Sequence, residues 1–593
     1  MTTSQNHADN KENQWNLESL YPSSQSWEQD FACIDEALKQ VTVFRGRLGG
    51  TPDQLKNALE QSTKLERLVE KLYSFAHHRS DEDTRKTEGQ AIQARIGSKL
   101  SQVSAELAWF EPELLALPES KLQEFISSPD LKDYRRKLEV LKRAKAHQRT
   151  AAEEEILSLL SDPLSAAHKV FNLFENADLK FPSVRDSKGQ EHPLDHSSYR
   201  KYLESRDRTL RQNTMTGYHG QFFAHRNTLA ASLEGAVKQH VVTAKIRKYP
   251  SAIEASLFSD QIPLSVYNGL IEVAHEGLPL MDRTIRLRKK ALGISDYRMS
   301  DNDVAVGEYE PKEIPYDEGF HLVAEAVRPL GSQYVQDLLK AKTDRWVDVY
   351  PRPGKCSGAY SGGCYDSHPF ILMNYNGRVG EVFTLAHELG HSMHSLYSRK
   401  YQPYSLWQYP IFLAEIASTT NELLLYFYLM KNTTKREEKE YYLNYFFKSF
   451  RGTFFRQTQF AEFERDIHAF EEQGEPLTAQ KLCDHYLKLI TQYYPNVQVD
   501  DGLSAEWARI PHFYYDFYVY KYATSYAAAH FFARKIYDGD LAIRDKYLEF
   551  LKSGNCADPL ITLQKAGLDL STKDPLRTAL KVFESALDEY ERL

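Results

Sequence analysis

Two histidines separated by three residues, with a glutamate directly after the first, carry the most specific chemistry in this chain: His387-Glu388-Leu389-Gly390-His391. On a helix, positions four apart lie one turn above each other, so both imidazoles can reach one metal ion with the Glu388 carboxylate beside it. A metal held this way activates water, and a neighbouring carboxylate can take its proton, which is the chemistry of metal-assisted peptide hydrolysis. The flanking residues support the helix: Leu385, Ala386, Leu389, Met393 and Leu396 recur at steps of three and four, as one buried face requires. Gly390 costs about 1 kcal/mol of helix propensity relative to alanine, which points to close approach by another backbone or by substrate.

Two imidazoles leave a metal short of ligands. A glycine and a third histidine at fixed offsets after the motif would complete one class of site, but those positions hold His394 and Tyr397. A second helix can supply a carboxylate instead. The run Phe412-Leu413-Ala414-Glu415-Ile416-Ala417-Ser418-Thr419-Thr420-Asn421-Glu422 sets Glu415 among apolar neighbours, where a carboxylate is costly unless paired or metal-bound. Glu422, seven residues on and nearly on the same face, competes for the ligand role or else orients a ligating imidazole. His394 sits about 10 Å along the helix axis from His387, too far to complete that pair's site, and reads as a supporting or core residue.

Two further segments bear on the site. Residues 346–380 are the main β-like region, with strands expected at Trp346–Tyr350 and Pro369–Asn374 and a turn at Asn376-Gly377. Between the strands, the glycine-rich stretch 354–363 is either a flexible connection or a loop that closes over a peptide paired to the sheet edge. The second segment is Pro511-His512-Phe513-Tyr514-Tyr515-Asp516-Phe517-Tyr518-Val519-Tyr520-Lys521-Tyr522. If it is helical, His512, Tyr515 and Tyr522 fall within roughly 80° of one another on the wheel. Such an aromatic stripe is equally the mark of a packed core.

The rest of the chain supplies scaffolding. Helical periodicity runs through 52–77, 86–108 and 134–160, a short hairpin is expected near 180–194, a second helical series covers about 195–293, and 294–316 reads as irregular. The expected division is a disordered polar tail over 1–14, an N-terminal helical domain over 15–194 and a catalytic domain over 195–593. The 82 acidic against 74 basic residues leave a formal net charge of -8 over 593 residues, too mild to indicate nucleic acid or a membrane surface as partner. Five scattered cysteines, Cys33, Cys356, Cys364, Cys483 and Cys556, do not form a disulfide framework and suit a reducing cytoplasm. The start of the chain has no apolar core of a signal peptide, and no apolar run approaches the roughly twenty residues needed to cross a bilayer.

Taken together, the motifs resemble the thimet oligopeptidase and oligoendopeptidase F family of zinc peptidases, with the oligoendopeptidase F branch the nearer. The resemblance rests on Thr384-Leu385 leading into His387-Glu388-Leu389-Gly390-His391-Ser392-Met393-His394, on Glu415-Ile416-Ala417-Ser418-Thr419 at the family's ligand spacing, and on the tyrosine-rich segment from His512. It extends to the opening Trp15-Asn16-Leu17-Glu18-Ser19-Leu20-Tyr21 and Trp27.

The resemblance implies a mainly α, multi-helical zincin-type metallopeptidase with a small β-sheet near the active site and a deep substrate channel. It implies one Zn2+ per chain held by His387, His391 and Glu415, with Glu388 as the catalytic base. It also implies that His512 and tyrosines of its segment stand over the metal and donate to the oxyanion, Tyr515 and Tyr522 first and Tyr518 next. The expected reaction is hydrolysis of internal bonds in short unfolded oligopeptides by Glu388-assisted attack of zinc-bound water. Oligopeptides are the expected partners, with no nucleic acid and no membrane, in the cytoplasm; the oligomeric state is open. A zinc carboxypeptidase and a helical peptide-binding scaffold with a vestigial motif are the competing readings, and the intact Glu388 counts against the second.

Overall fold

The computed structural model describes residues 10–593. It is mainly helical with two small sheets, and its contacts group into two units, each assembled from three separated stretches. One comprises residues up to 146, 311–428 and 532–567; the other comprises 147–310, 429–531 and 568–593.

In the first unit the long helix Pro52–Glu82 begins with a reciprocal cap between Thr51 and Gln54, with Pro52 at the first helical position. Its Leu55, Leu59, Leu65, Val69 and Leu72 are buried at the spacing of one helix face. The helix Thr87–Leu107 packs along it. Trp15, Leu17, Leu20, Tyr21 and Trp27 enter the same core, so the distinctive opening of the chain is structural. The Trp15 indole N–H donates to Glu82 at 2.9 Å. Residues 1–9 of the expected tail lie outside the described residues, whereas Lys11–Asn13 form a helical turn and the Asn13 carbonyl accepts from the Val349 N–H at 2.9 Å. The backbone is therefore tied to the sheet before residue 15.

The three-stranded sheet of this unit runs in the order Val347–Asp348, Phe370–Leu372, Tyr360–Gly362. Phe370-Ile371-Leu372 is buried throughout, as suits the central strand. It pairs in parallel with Val347–Asp348 and antiparallel with Tyr360–Gly362. The third strand falls inside the glycine-rich stretch, so that stretch is not merely a flexible connection. Its Gly354, Gly358 and Gly363 have φ of +84°, +86° and +130°, backbone geometry that side chains with a Cβ resist. Between the first two, the fully buried Lys355 ammonium meets the Asp348 carboxylate at 2.6 Å and the Tyr350 carbonyl at 2.8 Å. Arg352 grips the same carboxylate through two nitrogens at 2.5 and 2.6 Å. These charge-assisted bonds anchor the base of the loop.

In the second unit, the hairpin expected near 180–194 forms between Val184–Arg185 and Glu191–His192, with Gly189 at φ +82° in its turn. The helical series over 195–293 is present as six helices from His196–Leu203 to Leu278–Leu292. The segment 294–316 is irregular apart from the turn Met299–Asp301, where the buried Asp301 carboxylate accepts from Arg208 at 2.9 Å and from Arg211 at 2.7 Å. The continuous periodicity of 134–160 breaks into the helices Arg135–Ala144 and Ala151–Leu164, and the boundary between the units falls in the turn joining them. Among the described residues no helix is long and apolar enough to cross a membrane.

Candidate metal centre

His387 and His391 lie mid-way along the helix Val379–Tyr401, whose buried face includes Leu385, Ala386, Leu389 and Met393. Glu381 starts this helix by accepting the Arg378 N–H at 3.3 Å, directly after the turn at Gly377, φ +84°. Glu415 lies in the first turns of the helix Ile411–Asn432, and the motif helix and residues 411–428 of this one belong to the first unit. The axes approach closely at Gly390. A Cβ there would stand 2.6 Å from both the Ala417 carbonyl oxygen and the Ser418 Cα, so this position admits only glycine without the helices moving. The close approach inferred from the sequence is thus to another backbone.

That approach brings three donor atoms together. The Nε2 atoms of His387 and His391 are 3.1 Å apart, and Glu415 Oε2 lies 3.4 Å from the first and 3.7 Å from the second. Tetrahedral ligands at about 2.0–2.1 Å from a zinc ion stand roughly 3.3 Å from one another, so the set has the size of such an ion's first shell. Glu422 occupies the other side of His387, accepting from its Nδ1–H at 2.6 Å. This bond leaves Nε2 with its lone pair towards the donor cluster, the arrangement by which a carboxylate orients a metal-binding imidazole. His391 is oriented likewise by a hydrogen bond to the Ala414 backbone.

The electrostatics call for a cation. Glu388, Glu415 and Glu422 surround the two imidazoles, and among the described residues no lysine or arginine pairs with any of them. Burial resists a charge on His387, yet the Glu422 hydrogen bond and the three carboxylates outweigh it and lift the imidazole to about 9. Burial, followed by the nearby His387, holds His391 well below its ordinary value. Glu388 is 6% exposed, and burial raises its carboxyl to about 7 against the opposing pull of His387. It accepts a hydrogen bond from the Ser361 backbone on the edge strand, and the Ser361 hydroxyl is 2.8 Å from that of Ser392 on the motif helix. The edge strand and the motif are thereby joined.

His394 takes no place in the cluster: it is buried and stacked on Tyr409 at 3.6 Å between ring centroids. His512, Tyr515 and Tyr522 lie in the second unit, and there they do come together, but not on one helix wheel. A short helical turn, Pro511–Tyr514, is followed by Asp516 and Phe517 at φ +52° and +58°, and the helix resumes only at Tyr520. Two successive left-handed residues cannot continue a right-handed helix. The turn is held by the Phe517 N–H, which donates to the buried Glu464 carboxylate at 2.7 Å. It gathers the Tyr515, Tyr518 and Tyr522 rings around His512 with centroids 5.6, 5.9 and 5.9 Å away, and the Tyr522 hydroxyl is 3.5 Å from His512 Nε2. Burial lowers the His512 pKa.

A sequence profile described as "Peptidase family M3" matches residues 201–582, and one described as "Oligopeptidase F" matches residues 113–181. The chain belongs to peptidase family M3. This M3 chain is 38% identical over 584 residues to oligopeptidase PepF of Bacillus subtilis, covering 98% of itself and 87% of the relative. It is 37% identical to the group B oligopeptidase PepB of Streptococcus agalactiae, covering 100% of itself and 99% of that protein. Among solved structures, oligoendopeptidase F from Enterococcus faecium matches with a TM-score of 0.75 at 35% identity over 96% of this chain and 99% of that one. A structure from Chlamydophila abortus matches at 0.91 and 37% identity over 98% of each chain. Family and relatives make this M3 chain a peptidase of the oligopeptidase type.

Sequence reasoning missed two features of its site. The Ser361 contact to Glu388 arises from strand pairing across the glycine-rich stretch, and the alternation of that short run was the only local signal. The Lys355-Asp348-Arg352 clamp joins residues that look like ordinary surface charges in sequence.

Proposed function

We propose that this protein is a zinc-dependent endopeptidase that cleaves internal bonds of short unfolded oligopeptides in the cytoplasm, without nucleic-acid or membrane partners. The convergence of His387, His391 and Glu415 donor atoms beside the buried Glu388, in a chain of the M3 family, carries this reading. A single Zn2+ at this centre, held by those three residues, would polarise the scissile carbonyl and make water nucleophilic at neutral pH.

The remaining work falls to the chain itself. Glu388 takes the proton from the attacking water and hands it to the departing amine, and its raised pKa suits a group that must both accept and release a proton near neutrality. The Ser361 N–H holds that carboxylate in place. Glu422 keeps the His387 ring turned with Nε2 towards the metal. His512, Tyr515 and Tyr522, with Tyr518 next, are assigned to donate to the oxyanion; Tyr515, the most exposed of them at 44%, is the freest to meet a ligand. The edge strand Tyr360–Gly362 supplies backbone that an extended peptide can pair with. Residues 15–194 are assigned to limit access, so that peptides enter and folded proteins do not, and residues 195–593 to carry catalysis.

Digestion of N-acetylated, C-amidated peptides of graded length, read by mass spectrometry with zinc content measured in parallel, tests the proposal. Internal cuts in peptides of roughly five to twenty residues are expected, since an extended chain spans about 3.3 Å per residue. Release of single C-terminal residues that amidation blocks would make the enzyme a carboxypeptidase, and binding without turnover would make it a scaffold.

A further inference from the structure

The second unit contains another set of converging donors, outside the site described above. His240 on the helix Arg226–Ile246, His468 on the helix Arg456–Glu472 and Asp516 in the tyrosine-bearing turn present three ligand-type atoms within 4.8 Å of one another. His240 Nδ1 is 3.1 Å from His468 Nε2 and 3.7 Å from Asp516 Oδ1. Those separations match the first and last of the 3.1, 3.4 and 3.7 Å found around the His387 cluster.

Three observations favour a ligand over a simple hydrogen-bonded triad. The His468 Nδ1–H donates to the Glu464 carbonyl at 2.7 Å, which leaves its Nε2 as a lone pair aimed into the cluster. Asp516 Oδ1 is buried and accepts no hydrogen bond, although the side chain as a whole is 41% exposed. A buried carboxylate oxygen without a donor is costly, and a cation between it and the two imidazoles would relieve that cost. The outer atoms of Asp516 meanwhile give an ion a route from solvent.

We propose that His240, His468 and Asp516 form a second metal site, distinct from the catalytic one, for a borderline first-row ion such as Zn2+. Two imidazoles with one carboxylate select such an ion over Ca2+ or Mg2+, which prefer all-oxygen shells. Its role is to fix the turn. Asp516 is flanked by Tyr515 and the left-handed Phe517, whose N–H is bound by Glu464, and the Asp516 carbonyl accepts from the Ser256 hydroxyl at 2.6 Å. An ion on Asp516 would pin the same backbone from its side-chain end, holding Tyr515 and Tyr518 in register with His512. That role rests on the proposed function; the metal site does not.

The test is zinc stoichiometry by native mass spectrometry on the full chain, titrated with Zn2+, together with hydrogen exchange over residues 511–519. The wild type is expected to take two equivalents, and His387→Gln/His391→Gln one. Adding Asp516→Asn to that double variant, or separately His240→Gln, should abolish the remaining equivalent while the metal-free protein still unfolds cooperatively. Zinc should slow exchange over 511–519 several-fold in the His387→Gln/His391→Gln chain, and not once Asp516 is replaced. A folded His387→Gln/His391→Gln chain that takes up no zinc, or an equivalent that survives both the Asp516 and His240 changes, would overturn the site. Two equivalents in the wild type with exchange over 511–519 unaltered would keep the site and overturn its role. Loss of peptidase activity with both equivalents intact would count against the proposed function alone.

Discussion

Gly390→Ala isolates what the helix crossing does for the proposed metal centre. The substitution adds one methyl group on the buried side of the motif helix, where it meets the Ala417 carbonyl oxygen and the Ser418 Cα at 2.6 Å. Ordinary contact begins at 3.4 Å, so the two helices must part by about 0.8 Å. Both obstructing atoms are backbone, so no side chain can swing aside. Glu415 lies half a turn from the obstruction on the same helix and moves with it, whereas metal–ligand distances tolerate only about 0.2 Å. Intrinsic helix propensity works the other way, favouring alanine by about 1 kcal/mol, while overpacking costs about 1–3 kcal/mol. The expected result is a net loss of stability of about 0–2 kcal/mol, with zinc affinity down by about tenfold to a hundredfold. Zinc competition against a chromophoric chelator and urea unfolding measure the two effects. Gly380→Ala is the control, since it lies in the same helix and its Cβ would meet nothing within 4 Å. Zinc affinity in Gly390→Ala within about threefold of wild type, with an unchanged or raised unfolding midpoint, would refute the steric account.

Glu388→Gln should keep about one zinc at the catalytic cluster and lose roughly 10²- to 10⁴-fold in kcat, because the amide cannot carry the proton; near-wild-type turnover would remove Glu388 from the mechanism. Glu415→Ala should abolish zinc uptake at that cluster, whereas Glu422→Ala should weaken it only about tenfold to a hundredfold by freeing the His387 ring; equilibrium dialysis showing the reverse order would exchange their roles. His530 is buried against the rings of Phe446, Phe450 and Tyr526 with neither nitrogen hydrogen-bonded, and burial pushes its pKa down to about 3. Because that value lies below the unfolded one of about 6.5, the stabilising effect of a neutral ring is complete above pH 6.5 and is lost as pH falls towards 3. The pH 7-to-5 loss of unfolding free energy should therefore be about 2 kcal/mol smaller in His530→Leu than in the wild type; equal losses in urea titrations at the two pH values would show that the ring is not buried neutral.

What the sequence by itself determined was local. The His387–His391 pairing follows from four-residue spacing on a periodic helix, the turn at Gly377 from its Asn-Gly pair, and the close approach at Gly390 from a glycine set in a helical run. Each of these is decided within a few residues, where backbone geometry leaves few choices. The buried tryptophans at 15 and 27 were legible in identity but not in destination, since burial depends on a helix whose contacting residues, Glu82 and Leu72, lie 67 and 45 positions away.

Only the tertiary structure decided which side of His387 each carboxylate faces. Glu415 and Glu422 share a helix face nearly equally in sequence, and the crossing at Gly390 sets Glu415 by the Nε2 pair and Glu422 by Nδ1. The tertiary structure also turned part of the glycine-rich stretch into an edge strand, because a strand exists only when another chain segment satisfies its backbone. It excluded the single helix on which His512, Tyr515 and Tyr522 would share a face, because the Glu464 carboxylate, 53 residues before Phe517, stabilises two left-handed residues that local propensity disfavours. The two units interleave along the chain for the same reason: contacts between distant segments outweigh the order in which they were joined, and periodicity carries no record of those contacts.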